Sequence, residues 1–262
     1  MDRVSKVFST DKKALIVYLT AGYPSIGLDE ELAITAIDAG ADILELGFPF
    51  SDPIADGPLI QEAAHAALKN GMTLAGTIDL ARRIRAKRDT PIILMGYANP
   101  VHHMGYDTFA ENLARAGGDG AIVPDLPLET AGPLRNEMAK RGLALIPMAA
   151  PNTPVERLES LLKKGDGFLY LVSMAGLTGD ALDQTASWKV IASRASEKGD
   201  LPVCVGFGIR TGRDAAEAAG SADGVIVGTA ITKVIKEAKG QEEAKEGVRK
   251  LVEELAEGIR GV

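Results

Sequence analysis

Eight short apolar runs, spread along the whole chain, constrain its fold more than any other feature of the sequence. Each run is rich in Val, Ile and Leu and lacks a clean polar–apolar alternation, which is typical of parallel strands buried on both faces. The runs cover residues 14–19, 43–46, 91–95, 120–123, 143–148, 167–172, 202–205 and 224–227. We therefore predict eight parallel β-strands.

Longer segments with helical periodicity separate the runs, at residues 28–39, 73–86, 106–116, 129–141, 154–164, 183–197, 213–219 and, at the end, 242–259. Eightfold strand–helix alternation without a long linker favours a closed barrel. The 262 residues also match the length of about 250 that such a barrel needs. We predict an α/β fold, a single-domain (β/α)8 TIM barrel over residues 1–262 with additional short helices. An open doubly wound sheet is the alternative.

The composition limits which binding partners and which cellular compartment we expect. The formal charge of −7, from 36 acidic and 29 basic residues, gives no general attraction to nucleic acid or an anionic membrane. No apolar stretch reaches the roughly 18 residues of a membrane span, and the first residues do not lead into a signal-peptide core. Cys204 is the single cysteine, so it cannot form an intrachain disulfide, which suits a reducing compartment. We expect it to be a small core residue. We expect a cytoplasmic protein.

A carboxylate interrupts the second run, where Glu45 stands between Leu44 and Leu46. Burial there would raise its pKa into the range that serves proton transfer near neutral pH. An ion-paired, purely structural Glu45 is the alternative, and taken alone the two interpretations are about even. The following loop favours a catalytic role for Glu45 because it carries Asp52 and Asp56 at the face where barrels place active sites. Acids in loops, however, are often solvated or cap a helix.

The residues from Glu45 to Pro58 read Glu-Leu-Gly-Phe-Pro-Phe-Ser-Asp-Pro-Ile-Ala-Asp-Gly-Pro. This segment resembles the tryptophan synthase alpha subunit family, whose pattern is Glu-Leu-Gly-x-Pro-Phe-Ser-Asp-Pro-x-Ala-Asp-Gly-Pro, and the likeness extends from about Ala14 to the last helix. It implies a lyase of tryptophan biosynthesis that reversibly cleaves indole-3-glycerol phosphate to indole and glyceraldehyde 3-phosphate. It implies neither an organic cofactor nor a metal.

The resemblance gives the two acids separate roles. Glu45 would shuttle the proton that indole C3 gains and the proton that the C3′ hydroxyl loses. Asp56 would accept a hydrogen bond from the indole N–H and stabilise the positive charge that develops on the ring.

A phosphate site is predicted at the loops that follow the last two strands, residues 206–209 and 228–231, where (β/α)8 enzymes often bind phosphate. Either loop alone is equally well a tight turn or a helix start. The resemblance implies phosphate-binding roles for Gly179, Gly208, Gly228 and Thr229. It also implies a substrate pocket lined by Tyr18, Met95, Ile122, Tyr170, Phe207 and Ile226, most of which would otherwise pass for barrel core.

The resemblance further implies an αββα complex with a beta subunit that consumes the indole. Loop 49–58 and the loop after Tyr170 would become ordered on substrate binding. Asp52 is the candidate for an ion pair across that interface, and Asp125 for orienting a mobile loop. Gly96 and Met174 are among the departures from the family pattern, and these bear on loop closure and partner response rather than on the carboxylates.

Two other functions compete with this prediction. One is another phosphate-binding barrel enzyme, such as a sugar-phosphate isomerase, which the length of the pattern from Glu45 to Pro58 disfavours. The other is a non-catalytic barrel that only binds a partner, which the presence of both acids and both phosphate loops disfavours. His65, His102 and His103 form no metal pattern with the acids, and we expect the adjacent pair in an exposed loop.

Overall fold

Strands and helices alternate through the computed structural model, which describes residues 2–172, 184–206 and 208–262, with the backbone alone at 184–187. The strands are β1 (Ala14–Thr20), β2 (Ile43–Gly47), β3 (Ile92–Met95), β4 (Gly120–Ile122), β5 (Ala144–Leu145), β6 (Met148–Ala149), β7 (Leu169–Val172), β8 (Val203–Gly206) and β9 (Gly224–Val227). The helices are α1 (Arg3–Val7), α2 (Leu28–Asp38), α3 (Pro58–Lys69), α4 (Leu74–Arg85), α5 (Ala98–Met104), α6 (Tyr106–Arg115), α7 (Gly132–Ala139), α8 (Val155–Lys164), α9 (Gln184–Lys198), α10 (Gly212–Ala219), α11 (Thr229–Glu237) and α12 (Gln241–Arg260).

The nine strands close into a barrel. They pair in parallel in the order β5-β4-β3-β2-β1-β9-β8-β7-β6, and the two outermost strands are halves of one extended segment, residues 144–149. Pro147 separates the halves because it has no backbone N–H to donate. Ile146 N donates to Ala121 O at 3.0 Å on one side, and Tyr170 N donates to Pro147 O at 2.9 Å on the other. The prediction of a barrel with eight strand positions is confirmed, with the fifth divided at Pro147.

The inside of the barrel is a column of apolar side chains. Successive strand residues point to opposite faces, so Ile43 and Glu45 on β2 both face inward. Glu45 lies level with Tyr18 on β1 and Ile93 on β3. The inner column contains Ile16, Ile43, Ile93, Ile122, Ile146, Phe168, Cys204 and Ile226. A charged group in this position is therefore surrounded by hydrocarbon except toward the carboxyl ends of the strands.

Three aspartates fix the opposite, amino-terminal face of the barrel. Each stands just before a strand and accepts a hydrogen bond from the backbone at the start of the preceding barrel strand. The pairs are Asp42 Oδ2 with Leu15 N (2.9 Å), Asp119 Oδ2 with Ile92 N (2.8 Å) and Asp223 Oδ2 with Val203 N (2.9 Å). These carboxylates satisfy N–H groups that the ladder leaves unpaired, so their role is structural.

Most of the predicted helices are confirmed to within a few residues. α1 and α11 were not among the predicted segments, and neither were α3 and α5. Both occur where Pro and Gly are dense: Pro58 opens α3, and Pro100 lies in the first turn of α5, where a missing N–H costs nothing. The expected exposed loop at His102 and His103 is wrong, because both side chains are exposed on α5. In the described ranges, no helix is both long and apolar enough to span a membrane.

Candidate active site

Glu45 is held in the middle of β2 with its side chain inside the barrel. It is 1% exposed, and neither carboxyl oxygen has a hydrogen-bond partner among the described residues. Burial, and next the negative charge of Asp56, raise the pKa of Glu45 to about 8. No cation of the described chain pairs with it, so the group holds its proton at neutral pH and can both donate and accept one.

Asp56 lies on the loop between β2 and α3. Its Oδ2 accepts a hydrogen bond from Tyr97 Oη at 2.9 Å, and its own N–H donates to Pro53 O at 3.1 Å. Gln61 Nε2 donates to its carbonyl at 2.9 Å. Burial raises the pKa of the Asp56 carboxyl, and the Tyr97 hydrogen bond opposes that rise. The loop is thus folded so that this carboxylate points toward the barrel rather than into solvent.

Tyr97 is a site residue that the sequence reasoning did not assign. It stands at the N-cap of α5, two residues after β3 ends, and is 3% exposed. Its ring stacks on Phe50, with centroids 5.4 Å apart, and its Oη accepts from Ala55 N at 3.0 Å. A phenol near the carboxyl end of a barrel strand was the available signal, and the same signal singled out Tyr170 within β7.

Tyr18, which the resemblance assigns to the substrate pocket, lies level with Glu45 on the neighbouring strand. Its Oη is 3.2 Å from Thr20 Oγ1, and its phenol fills space that two glycines leave open. A Cβ on Gly47 would come 2.1 Å from Tyr18 Oη, and one on Gly228 would come 3.1 Å from its Cδ1. Burial, and next the charge of Asp56, raise the pKa of Tyr18, so the phenol stays neutral.

The other predicted pocket residues converge inside the barrel. Ile122 and Ile226 belong to the inner column, and Met95 and Tyr170 pack against it. Burial, and next the charges of Glu45 and Asp56, hold the pKa of Tyr170 well above its ordinary value. Phe207, the sixth member of the predicted set, lies outside the described residues.

The predicted phosphate site falls on the start of α11. Gly228 is its N-cap and Thr229 its first residue, with no capping side chain and no acid in the first turn. The start of α10 differs, because Thr211 and Asp214 form a capping box there. The first N–H groups of α11 are therefore available to an anion. Gly208, with φ +69°, lies in the loop after the neighbouring β8, and Gly179 lies outside the described residues.

Comparisons with known proteins show which family this chain belongs to. The family model described as "Tryptophan synthase alpha chain" matches residues 4–260. A tryptophan synthase alpha chain from Caulobacter sp. (strain K31) is 43% identical, over 99% of this chain and 96% of the relative. The chain belongs to the tryptophan synthase alpha chain family. One from Neisseria meningitidis serogroup B is 42% identical over 99% of this chain and 100% of the relative.

Solved structures of the same family share the fold. Tryptophan synthase subunit alpha from Legionella pneumophila str. Paris superposes with a TM-score of 0.92 at 36% identity, covering 100% of both chains. A chain of Mycobacterium tuberculosis tryptophan synthase gives a TM-score of 0.90 at 35% identity, over 99% of this chain and 98% of that one.

One departure from the tryptophan synthase alpha pattern has a local explanation. The resemblance predicts a small polar residue where Gly96 stands, and the ring of Phe48 occupies the space beside Gly96. A Cβ at Gly96 would come 2.3 Å from Phe48 Cε2. The large residue at position 48 and the absent side chain at 96 are therefore packed as a pair next to the pocket.

Asp125 follows β4 and reaches the neighbouring loop. Its Oδ1 accepts from Ala98 N at 2.8 Å, so it caps the first turn of α5. The predicted role for Asp125, orienting a loop at the site, has this contact as its support.

Proposed function

We propose that Glu45 and Asp56 are the catalytic carboxylates of the tryptophan synthase alpha reaction. The chain is a lyase of tryptophan biosynthesis, and the reaction is the reversible retro-aldol cleavage of indole-3-glycerol phosphate to indole and glyceraldehyde 3-phosphate. The observation that carries the proposal is the buried Glu45 carboxyl, without a partner among the described residues and with its pKa raised to about 8 beside Asp56.

Glu45 serves both proton transfers. It is neutral at pH 7, so it donates its proton to C3 of the indole ring and makes the indolenine cation. The carboxylate that remains takes the proton of the C3′ hydroxyl. The C3′–O electrons then form the aldehyde carbonyl, the C3–C3′ bond breaks and its electron pair returns to the ring. Glu45 ends protonated, ready for the next turnover.

Asp56 stabilises the charge that this sequence creates. As an anion it accepts a hydrogen bond from the indole N–H, which becomes more acidic once C3 is protonated. Ionised Asp56 also raises the pKa of Glu45. The negative charge of one carboxylate thus keeps the other in its acid form, and the two groups differ in protonation at the same pH.

The start of α11 is the proposed phosphate site, with Gly228 and Thr229 at the helix end and Gly208 in the adjoining loop. Gly228 borders the ring of Tyr18, and Tyr18 lies level with Glu45. The substrate would therefore lie across the barrel mouth, with its phosphate at α11 and its indole ring toward Asp56 and Met95.

The family pairs with a beta chain in an αββα complex, which consumes the indole before it diffuses away. We assign the beta-facing contact to the loop before α3. Asp52 is exposed there, and Ile54 is 81% exposed. We place the protein in the cytoplasm, where the buried free thiol of Cys204 stays reduced.

The test adds indole-3-glycerol phosphate to the purified chain, with and without a beta subunit, and measures indole and glyceraldehyde 3-phosphate. We expect equal amounts of both, which separates cleavage from isomerisation. Glu45→Gln should lower indole release by about 100-fold or more while inorganic phosphate still binds. Glu62→Gln, an exposed glutamate paired with Lys236, is the control. Near-normal turnover in a folded Glu45→Gln protein would refute the assignment.

A further inference from the structure

A single phenol fastens the catalytic loop to the barrel. Tyr97 makes three contacts with the segment before α3: its ring stacks on Phe50, its Oη accepts from Ala55 N at 3.0 Å, and its O–H donates to Asp56 Oδ2 at 2.9 Å. Tyr97 lies 41 positions after Asp56 in the chain. The contact therefore joins two neighbouring βα loops.

The direction of these hydrogen bonds is fixed. Because Oη accepts the amide proton of Ala55, its own proton is directed to the carboxylate. Hydrogen bonds arranged head to tail in this way polarise one another, and one that ends on an anion is stronger than a neutral one. Tyr97 thus holds Asp56 Oδ2 in one position.

Tyr97 is itself held rigidly. It is buried at the N-cap of α5, and the next N–H along the chain, that of Ala98, donates to Asp125 Oδ1 at 2.8 Å. The anchor is therefore supported by β3, α5 and the loop after β4, whereas Asp56 belongs to an exposed loop. A buried side chain next to a strand and a helix thus orients one on an exposed loop, as a well-organised site requires.

We propose that Tyr97 is the positioning residue for Asp56: its hydroxyl engages Oδ2 and leaves Oδ1 as the acceptor for the indole N–H. No residue in the described part of the chain donates a hydrogen bond to Oδ1. The Tyr97 hydrogen bond also opposes the rise that burial causes in the pKa of Asp56, which favours the ionised form needed at neutral pH. This inference rests on the proposed function.

Tyr97→Phe tests the proposal because it removes only the hydroxyl. We expect kcat to fall about 10- to 100-fold, the loss for one hydrogen bond to a charged group, and the acidic limb of the kcat/KM profile to move to higher pH. The KM for substrate should change less, since the phosphate site lies at α11. Tyr106→Phe, whose ring packs on His102 away from the carboxylates, is the control and should match the parent protein.

Carbon-13 NMR of the aspartate carboxyls, with the Asp56 signal identified by its loss in Asp56→Asn, gives a second readout that needs no turnover. A higher pKa for Asp56 in Tyr97→Phe, together with the lower kcat, would support the proposal. An unchanged Asp56 pKa, or a shifted pKa with normal kcat, would overturn it. Absence of indole release by the parent protein would instead refute the proposed function, and the titration would still report on the Tyr97 contact.

Discussion

The burial of Glu45 inside the barrel lowers the stability of the folded protein when the pH exceeds the ordinary pKa of a glutamate. Its pKa rises from 4.5 to about 8 because hydrocarbon replaces water around both oxygens. Between those two pH values the folded chain keeps a proton that the unfolded chain releases. The free energy of unfolding must therefore fall as the pH rises across this window, and stay level outside it as far as Glu45 is concerned.

Glu45→Gln should remove this pH dependence because an amide does not titrate. Relative to the parent protein, the variant should gain stability steadily from about pH 5 to pH 8, by a few kcal/mol at about 1.4 kcal/mol per pH unit. Urea unfolding of both proteins at pH 5, 6.5, 8 and 9 measures the difference, and other titrating groups largely cancel. A difference that does not change with pH would show that Glu45 is not desolvated as described.

The sequence predicted that Glu45 is buried, but it did not predict which side chains surround it. A glutamate between two leucines in a strand predicts burial, and it is found at 1% exposure. Whether a cation reached it was undecidable, because the closing of a barrel decides which side chains share its interior. Tyr97 was missed for the same reason: its bond to Asp56 spans two loops, and neither loop alone indicates the other.

Among the secondary-structure elements, the strands were predictable and some helices were not. Parallel strands buried on both faces appear as continuous apolar runs, and all eight positions were found. The division of the fifth strand follows from Pro147. The sequence shows that a proline is present, but it does not show where this proline falls in the strand pairing. The segment that forms α3 follows a loop rich in Gly and Pro. Pro58 marks the start of the helix, and Ile60, Ala63 and Ala67 bury its inner face.

α11 offers a test of the phosphate site at the level of one helix. Thr229→Asp adds a negative charge to its first turn. This charge interacts favourably with the helix dipole but repels phosphate. We expect KM for indole-3-glycerol phosphate to rise about tenfold or more, for a repulsion near 1.4 kcal/mol, without loss of thermal stability. Steady-state kinetics and competition by inorganic phosphate measure the effect.

Thr211→Asp makes the same substitution at the N-cap of α10, where the capping box already occupies the helix start. It should leave KM unchanged because the proposed phosphate site lies at α11. It should also leave the stability of α10 unchanged, since aspartate is a good N-cap. If both variants raised KM equally, the effect would be a general one of charge, and α11 would not be the phosphate site.

Across the whole molecule, the structural carboxylates and the proposed catalytic carboxylates lie at opposite ends of the barrel. At the amino-terminal end, Asp42, Asp119 and Asp223 are committed to backbone N–H groups. At the carboxyl end, Glu45 and Asp56 keep oxygens free of partners in the described chain, and the loop between β2 and α3 exposes Asp52 and Ile54 beside them. A partner that docks on this loop contacts the segment that carries Asp56.

Docking of the beta subunit should therefore change the rate of the alpha reaction. We expect faster indole formation in the complex, and Asp52→Asn should weaken the complex by on the order of tenfold, as for one interfacial charge pair, without altering the isolated rate. Asp11→Asn, an exposed aspartate before β1 at the opposite end, is the control. Titration of each variant with the beta subunit, followed by indole formation, measures both effects. An equal response of the two variants would exclude Asp52 as the contact, and a rate unaffected by the beta subunit would exclude coupling through this loop.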